Sequence, residues 1–353
     1  MIYRLLDLGS KSDEEFVKEF DKIPETATTL VLNRNELHTK SGELLAAGFK
    51  IIRSNITNVS LSFNNLYKMP AKELSAALPA LQGNIGTLNI GKNNFGRSSG
   101  SDLALILESV VQDKLILSEN DLYLLGDDLA EPLARMSKAI IAFDISGNLL
   151  FKMPGVQLAK ALETMSSSVR NLNLSSNRFD DMYGLDFVLA LGAISKGVSY
   201  VNLSQNNLHK MHIQALGEGL KALNKNITDL NLSDNYLDKI ANSDLSKLKG
   251  SSPCVRTLYL NEKEVEAMTS LQRKALGDIF PNLEQVVLVD TSGNALINSE
   301  NRTNQTIKLG FKTALAPLAN LLGIHSSSAL NSSNLITEQL ATVKEERTLN
   351  SYS

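Results

Sequence analysis

The sequence predicts an α/β solenoid: a right-handed horseshoe with a parallel β-sheet on its concave face and helices on its convex face. Three observations carry that prediction. Asn recurs at positions 35, 64, 93, 120, 148, 177, 206 and 235, in steps of 27 to 29 residues. Apolar residues stand five and three positions before each of these Asn and two positions after it. Between successive phrases lie stretches whose apolar residues keep a helical spacing. A fixed period of this length marks a stacked array. It replaces the two or three compact domains that 353 residues would otherwise suggest.

The elements follow in chain order. Residues 1–26 do not keep the phrase and read as an N-terminal cap. Within them Met1 to Leu8 suggests a first strand, and Ser12 with Glu15 has the spacing of a capping box. Residues 27–296 hold eight regular repeats and two degenerate ones. Each repeat opens on a strand half such as Asn171-Leu-Asn-Leu-Ser175, which alternates with period two. A helical half follows. In Pro154 to Met165, the residues Val156, Leu158, Ala159, Leu162 and Met165 are expected along one face. Pro70 is placed for a first helical turn. The longest apolar run, Phe187 to Ile194, reads as about two turns of buried helix. A lone strand–helix unit cannot bury its apolar side, so the units must stack. Strands spaced at about 4.8 Å and helices at about 8–10 Å curve the stack with the sheet inside.

The curvature gives the Asn residues a task. The turn after each strand buries backbone groups that have no sheet partner. An amide side chain carries donors and an acceptor together, so one Asn can serve two neighbouring turns. Asn35, Asn64, Asn93, Asn120, Asn148, Asn177, Asn206 and Asn235 are therefore expected to form a ladder. They account for eight of the 33 Asn in the chain. Asn207, beside a rung, is expected to be exposed.

The phrase L-x-L-x-x-N-x-L resembles that of the leucine-rich repeat family. Its period and helical second halves are most similar to the ribonuclease-inhibitor-like type. The resemblance covers residues 27–296. It implies the horseshoe and an extended concave binding surface, and it is nearly silent on function.

The pattern fades towards the C-terminus. Val255 to Val265 keeps the aliphatic residues but has Lys263 at the Asn position, and the next copy has Thr291 there. Residues 297–353 read as linker, capping helix and tail. Within them 307–323 suits a helix interrupted near Pro317, either a cap or a membrane-surface or partner helix. The tail, with Glu345 and Glu346 among small polar residues, resembles the translocation signals of bacterial type IV secretion effectors. That resemblance implies a protein cytoplasmic in its producing cell and delivered into a host cell. Met1 to Ser10 shows no conventional export signal. Lys outnumbers Arg 24 to 11, which fits an AT-rich genome.

Composition narrows the chemistry. A net charge of -3 offers no basic field for nucleic acid. No apolar run reaches the roughly 20 residues of a transmembrane helix. A single cysteine, Cys254, excludes a disulfide scaffold and multi-cysteine metal sites, and is expected to be a small buried hydrophobe. His38 and His209 fall at equivalent turn positions. His209 and His212 lack the further ligands a metal site needs. Repeat proteins with ubiquitin-ligase activity carry a catalytic cysteine in a large domain after the repeats, where this chain has 57 residues and no cysteine. The 26 residues before the repeats are too few for an F-box. No catalytic residue, cofactor or metal is expected, and the chain reads as a monomer.

The concave face becomes the working surface. Asn89, Asn173, Asn202 and Asn231, with Ser62, Ser118, Ser175, Ser204 and Ser233, carry the residues usual for the family there and read as scaffold. The departures are Phe63, Lys114, Arg170, Tyr200, Asp229, Arg256 and Tyr259. Aromatic and Arg side chains dominate interface energetics. Phe63, Arg170, Tyr200, Asp229, Arg256 and Tyr259 are the candidate partner-binding residues. Tyr200, Asp229, Arg256 and Tyr259 should form one patch. The expected partner is a protein, host-derived under the effector reading. The alternative is a GTPase activator, because the activator of the GTPase Ran resembles this chain in repeat type.

Overall fold

A computed structural model describes residues 1–290. Thr291, the segment 307–323 and the tail with Glu345 and Glu346 lie outside the described residues. Eleven strands form one sheet, ordered as they occur in the chain: β1 (Ile2–Arg4), β2 (Thr29–Val31), β3 (Asn58–Ser60), β4 (Thr87–Asn89), β5 (Lys114–Ile116), β6 (Ala142–Asp144), β7 (Asn171–Asn173), β8 (Tyr200–Asn202), β9 (Asp229–Asn231), β10 (Thr257–Asn261) and β11 (Gln285–Val289). Every neighbouring pair is parallel. The register places Leu30, Val59, Leu88, Leu115, Phe143, Leu172, Val201, Leu230, Leu258 and Val286 in one row. That row is buried and forms the spine of a single continuous core.

Eleven helices connect the strands: α1 (Asp13–Asp21), α2 (Gly42–Lys50), α3 (Ala71–Ala77), α4 (Gly100–Glu108), α5 (Ala130–Arg135), α6 (Gly155–Thr164), α7 (Gly184–Gly192), α8 (Ile213–Ala222), α9 (Asn242–Leu245), α10 (Glu262–Ala267) and α11 (Ser270–Ile279). The inner face of α6 is Gly155, Leu158, Ala161 and Leu162, continued by Met165. Val156, expected on that face, is 65% exposed. At 3.6 residues per turn it lies about 200° from Leu158, so it points outward. The run Phe187 to Ile194 is likewise one-sided, with Phe187, Ala190 and Leu191 buried and Leu189 exposed. Pro70 and Pro154 stand just before the first helical residue rather than within the first turn. Gly42, Gly100 and Gly155 open their helices where the next repeat comes closest. A Cβ there would lie 2.4–2.5 Å from backbone atoms of Glu73, Asp128 or Asp186.

The ladder is present and continuous. Each Asn Oδ1 accepts the backbone N–H of the rung before it, from Asn35→Asn64 to Asn206→Asn235, at 2.8–3.0 Å. The same side chains donate to carbonyls of their own repeat and the preceding one, as Asn177 Nδ2 does to Leu174 O (3.0 Å) and Ile145 O (3.1 Å). All eight are buried. The residues on either side of each rung adopt left-handed backbone conformations, among them Arg34 and Glu36, Lys92 and Asn94, and Ser176 and Arg178. Asn207 is one of these (φ 52°), half-buried rather than exposed.

Left-handed backbone at a non-glycine residue costs roughly 1–2 kcal/mol. Glu36 is exposed, has φ 52° and forms no ion pair among the described residues. Glu36→Gly is therefore expected to raise stability by about 0.5–1 kcal/mol, after the larger chain entropy of glycine is subtracted. A lower midpoint in urea for that variant would show that the turn is not strained.

The two ends differ from the middle. The N-terminal segment 1–26 pairs Tyr3 with Leu30, and the Ser12–Glu15 capping box forms at α1. It keeps a repeat's strand, turn and helix but shortens the turn, so no Asn rung fits. Asn35 reaches into it, accepting from Leu8 N–H (3.0 Å) and donating to Leu5 O (2.9 Å). Beyond Asn235, Lys263 stands at the rung position, as its sequence place implied. Its neighbour Glu264 takes over, accepting the Tyr236 N–H through Oε1.

Candidate partner-binding face

Side chains of the sheet alternate between the core and the concave face. Two concave rows precede each rung Asn by six and four residues. In the second row Asn89, Asn173, Asn202 and Asn231 accept the N–H two residues onward, from Gly91, Ser175, Ser204 and Ser233, at 2.8–3.0 Å. They are scaffold, as the sequence indicated. Asp144 does the same for Ser146 (2.8 Å), but brings a carboxylate to the row.

Tyr200, Asp229 and Tyr259 depart from this scaffold and stand together. Tyr200 pairs in register with Asp229, and Tyr259 pairs with Asn231 one step along. The two rings meet edge to face, with centroids 5.6 Å apart and planes at 84°. Burial pushes both phenol groups above their ordinary range, and the Asp229 charge adds to the effect. The cluster forms one end of a concavity of about 520 Å³ that runs back across the sheet to Asp144 and Lys114.

Three candidate residues fall elsewhere. Arg256 sits just before β10 and pairs with Glu284, so it does not join the tyrosines. Arg170 occupies the equivalent place before β7. Its guanidinium donates to the carbonyls of Ser167, Val169 and Gly197 and ties the strand-start loops together. Phe63 lies in the turn before Asn64, at φ 59°, between Arg34 (4.7 Å) and Lys92 (4.9 Å) in a cation–π sandwich. Asp144 is the residue the sequence reading missed. Its signal was a carboxylate in a row that otherwise holds Asn at four positions.

His38 and His209 occupy matching turns, as predicted. Their Nδ1 atoms bond the carbonyls of Asn64 (3.0 Å) and Asn235 (3.2 Å). Burial lowers the His209 pKa. Cys254 is half-buried rather than fully enclosed. Among the described residues no group of three or more His, Cys, Asp or Glu could hold a metal ion. Among them, too, no helix is long and apolar enough to cross a membrane.

Eleven parallel strands in chain order, a helix behind nearly every one and an Asn ladder between them form a leucine-rich repeat solenoid, a horseshoe with its sheet on the concave side. A solved structure of similar form is the leucine-rich repeat-containing protein LegL7 from Legionella pneumophila. It matches with a TM-score of 0.80 and 26% identity, over 89% of this chain and 98% of that one. No family model and no curated protein matches the chain.

Proposed function

We propose that this chain is a protein-interaction module that holds a partner protein on its concave face. One observation carries the reading: a half-buried Tyr200–Tyr259 pair and Asp229 stand together beside Asn171, Asn173, Asn202 and Asn231 at one end of a concavity. Aromatic side chains are enriched among the anchors of protein interfaces. The finer reading is a translocated bacterial effector that acts as a monomer on a host protein. It draws support from the resemblance of the Glu345–Glu346 tail to translocation signals and from the bacterial source of the similar solved structure. No feature of the site favours a GTPase activator over binding alone.

The test is affinity capture from eukaryotic and bacterial lysates, comparing wild type with Tyr200→Ala/Tyr259→Ala. The double variant is expected to lose at least about tenfold in capture while keeping its far-UV circular dichroism, because two anchors of this type contribute roughly 1–2 kcal/mol each. A partner taken only from the eukaryotic lysate supports the host reading. Undiminished capture by the variant moves the site off this face.

A further inference from the structure

We propose that the Tyr200–Asp229–Tyr259 cluster receives an arginine side chain of the partner protein. The inference rests on the concave face being the binding surface and adds the chemistry of what binds there.

Charge is the first ground. The first concave row reads Thr29, Asn58, Thr87, Lys114, Ala142, Asn171, Tyr200, Asp229, Thr257 and Gln285. Asp229 is its one acid. Lys114, the one base, lies four strands away, or about 19 Å at ordinary strand spacing. From β8 to β11 no other concave strand position is charged. Lys225, the nearest cation in sequence, is exposed in the turn before β9 and forms no ion pair with Asp229, and Arg256, at the start of the next strand, is held by Glu284. Asp229 therefore has no cationic partner among the described residues.

Geometry is the second ground. The Thr228 hydroxyl donates to Asp229 Oδ2 at 2.6 Å, which fixes the carboxylate and leaves Oδ1 without a hydrogen bond among the described residues. The tyrosine rings meet edge to face, and both line the same concavity as Asp229. A carboxylate with a free oxygen beside aromatic side chains offers a cation both an ion pair and a ring contact. A guanidinium meets both demands at once. It is flat and weakly hydrated, so it stacks on a phenol ring while its N–H groups donate to the carboxylate. An ammonium is a compact, strongly hydrated point charge and fits the ring corner less well.

The test uses the full chain and two synthetic peptides, acetyl-Gly-Ser-Arg-Ser-Gly-amide and the same peptide with citrulline in place of arginine. Citrulline keeps the planar shape and removes the charge. Titrations are followed by the NMR signals of the tyrosine rings. The arginine peptide is expected to shift the Tyr200 and Tyr259 signals and to bind at least about tenfold more tightly than the citrulline peptide. That ratio should shrink in about 0.5 M salt and vanish in Asp229→Asn. Equal binding of the two peptides to wild type overturns the proposal. So does an unchanged arginine preference in Asp229→Asn, or no binding of the arginine peptide at millimolar concentration. If lysate capture survives Asp229→Asn but is lost in Tyr200→Ala/Tyr259→Ala, the face binds a partner and the arginine is wrong.

Discussion

Replacing Asn177 with leucine is expected to lower the unfolding free energy by roughly 3–6 kcal/mol. The value comes from the groups the substitution strands. Asn177 Oδ1 is the acceptor for the Asn148 N–H (2.8 Å), and its amide donates to Ile145 O, Leu174 O and Ser175 O at 3.0–3.3 Å. Its side chain is fully buried, so water cannot substitute. Each stranded group costs about 1–3 kcal/mol. Leucine adds apolar volume but no bond, and at a site this closely packed it cannot recover the loss by burial. Asn171→Leu in the same repeat is the control, since Asn171 is exposed at the start of its strand. Asn207 would be a poor control because its left-handed backbone brings a cost of its own. The measurement is urea unfolding of all three proteins. Asn177 lies mid-stack, and each repeat contacts only its neighbours. The loss should therefore also broaden the transition, as the two halves begin to unfold separately. Equal shifts for Asn177→Leu and Asn171→Leu would mean that the ladder contributes nothing beyond surface propensity.

The ladder was legible in the sequence because a hydrogen-bonding amide that must recur in every turn leaves a fixed beat. The left-handed residues beside it were not. Arg34, Glu36, Phe63 and Leu149 are poor choices for that conformation, and nothing in their identity signals it. The rung dictates the turn, and the flanking residues accept the strain. At the candidate face the sequence held more than residue type alone revealed. Tyr200 and Asp229 precede their rungs by six positions, and Tyr259 precedes Lys263 by four, which are concave positions. Arg170 and Arg256 precede the rung position by seven and Phe63 by one. They lie beyond the strand ends, where backbone carbonyls, Glu284 and neighbouring cations engage them. Counting from the rung separates the two groups; selecting by aromatic or Arg identity merges them. Glu264 shows the limit of that counting. It stands one place after the expected rung, and only the geometry shows that its carboxylate serves the turn.

Glu264→Gln is expected to stabilise the protein at pH 8 and to leave it nearly unchanged at pH 4. Burial is the main cause that raises the Glu264 pKa from 4.5 to about 7, and the charges of Asp234 and Asp238 raise it further. Its place in the first turn of α10 favours the anion, but burial prevails. Oε1 accepts the Tyr236 N–H, whereas Oε2 is buried without a hydrogen-bond partner among the described residues. Between pH 4.5 and about 7 the folded protein holds a proton that the unfolded chain has released. Stability then falls as pH rises through that window, the reverse of a carboxylate held by a cation. A shift of this size corresponds to up to about 3 kcal/mol. Gln keeps an acceptor for the Tyr236 N–H and never ionises. The wild-type urea midpoint should therefore decline from pH 4.5 to pH 8 more steeply than that of the variant. Asp234, whose pKa is also raised by burial, leaves a residual slope in both proteins. Identical slopes would show that Glu264 reaches water in the folded state. A steeper wild-type slope would mean that the last turn is tightest when its carboxylate is protonated, because only the neutral acid resembles the amide rungs before it.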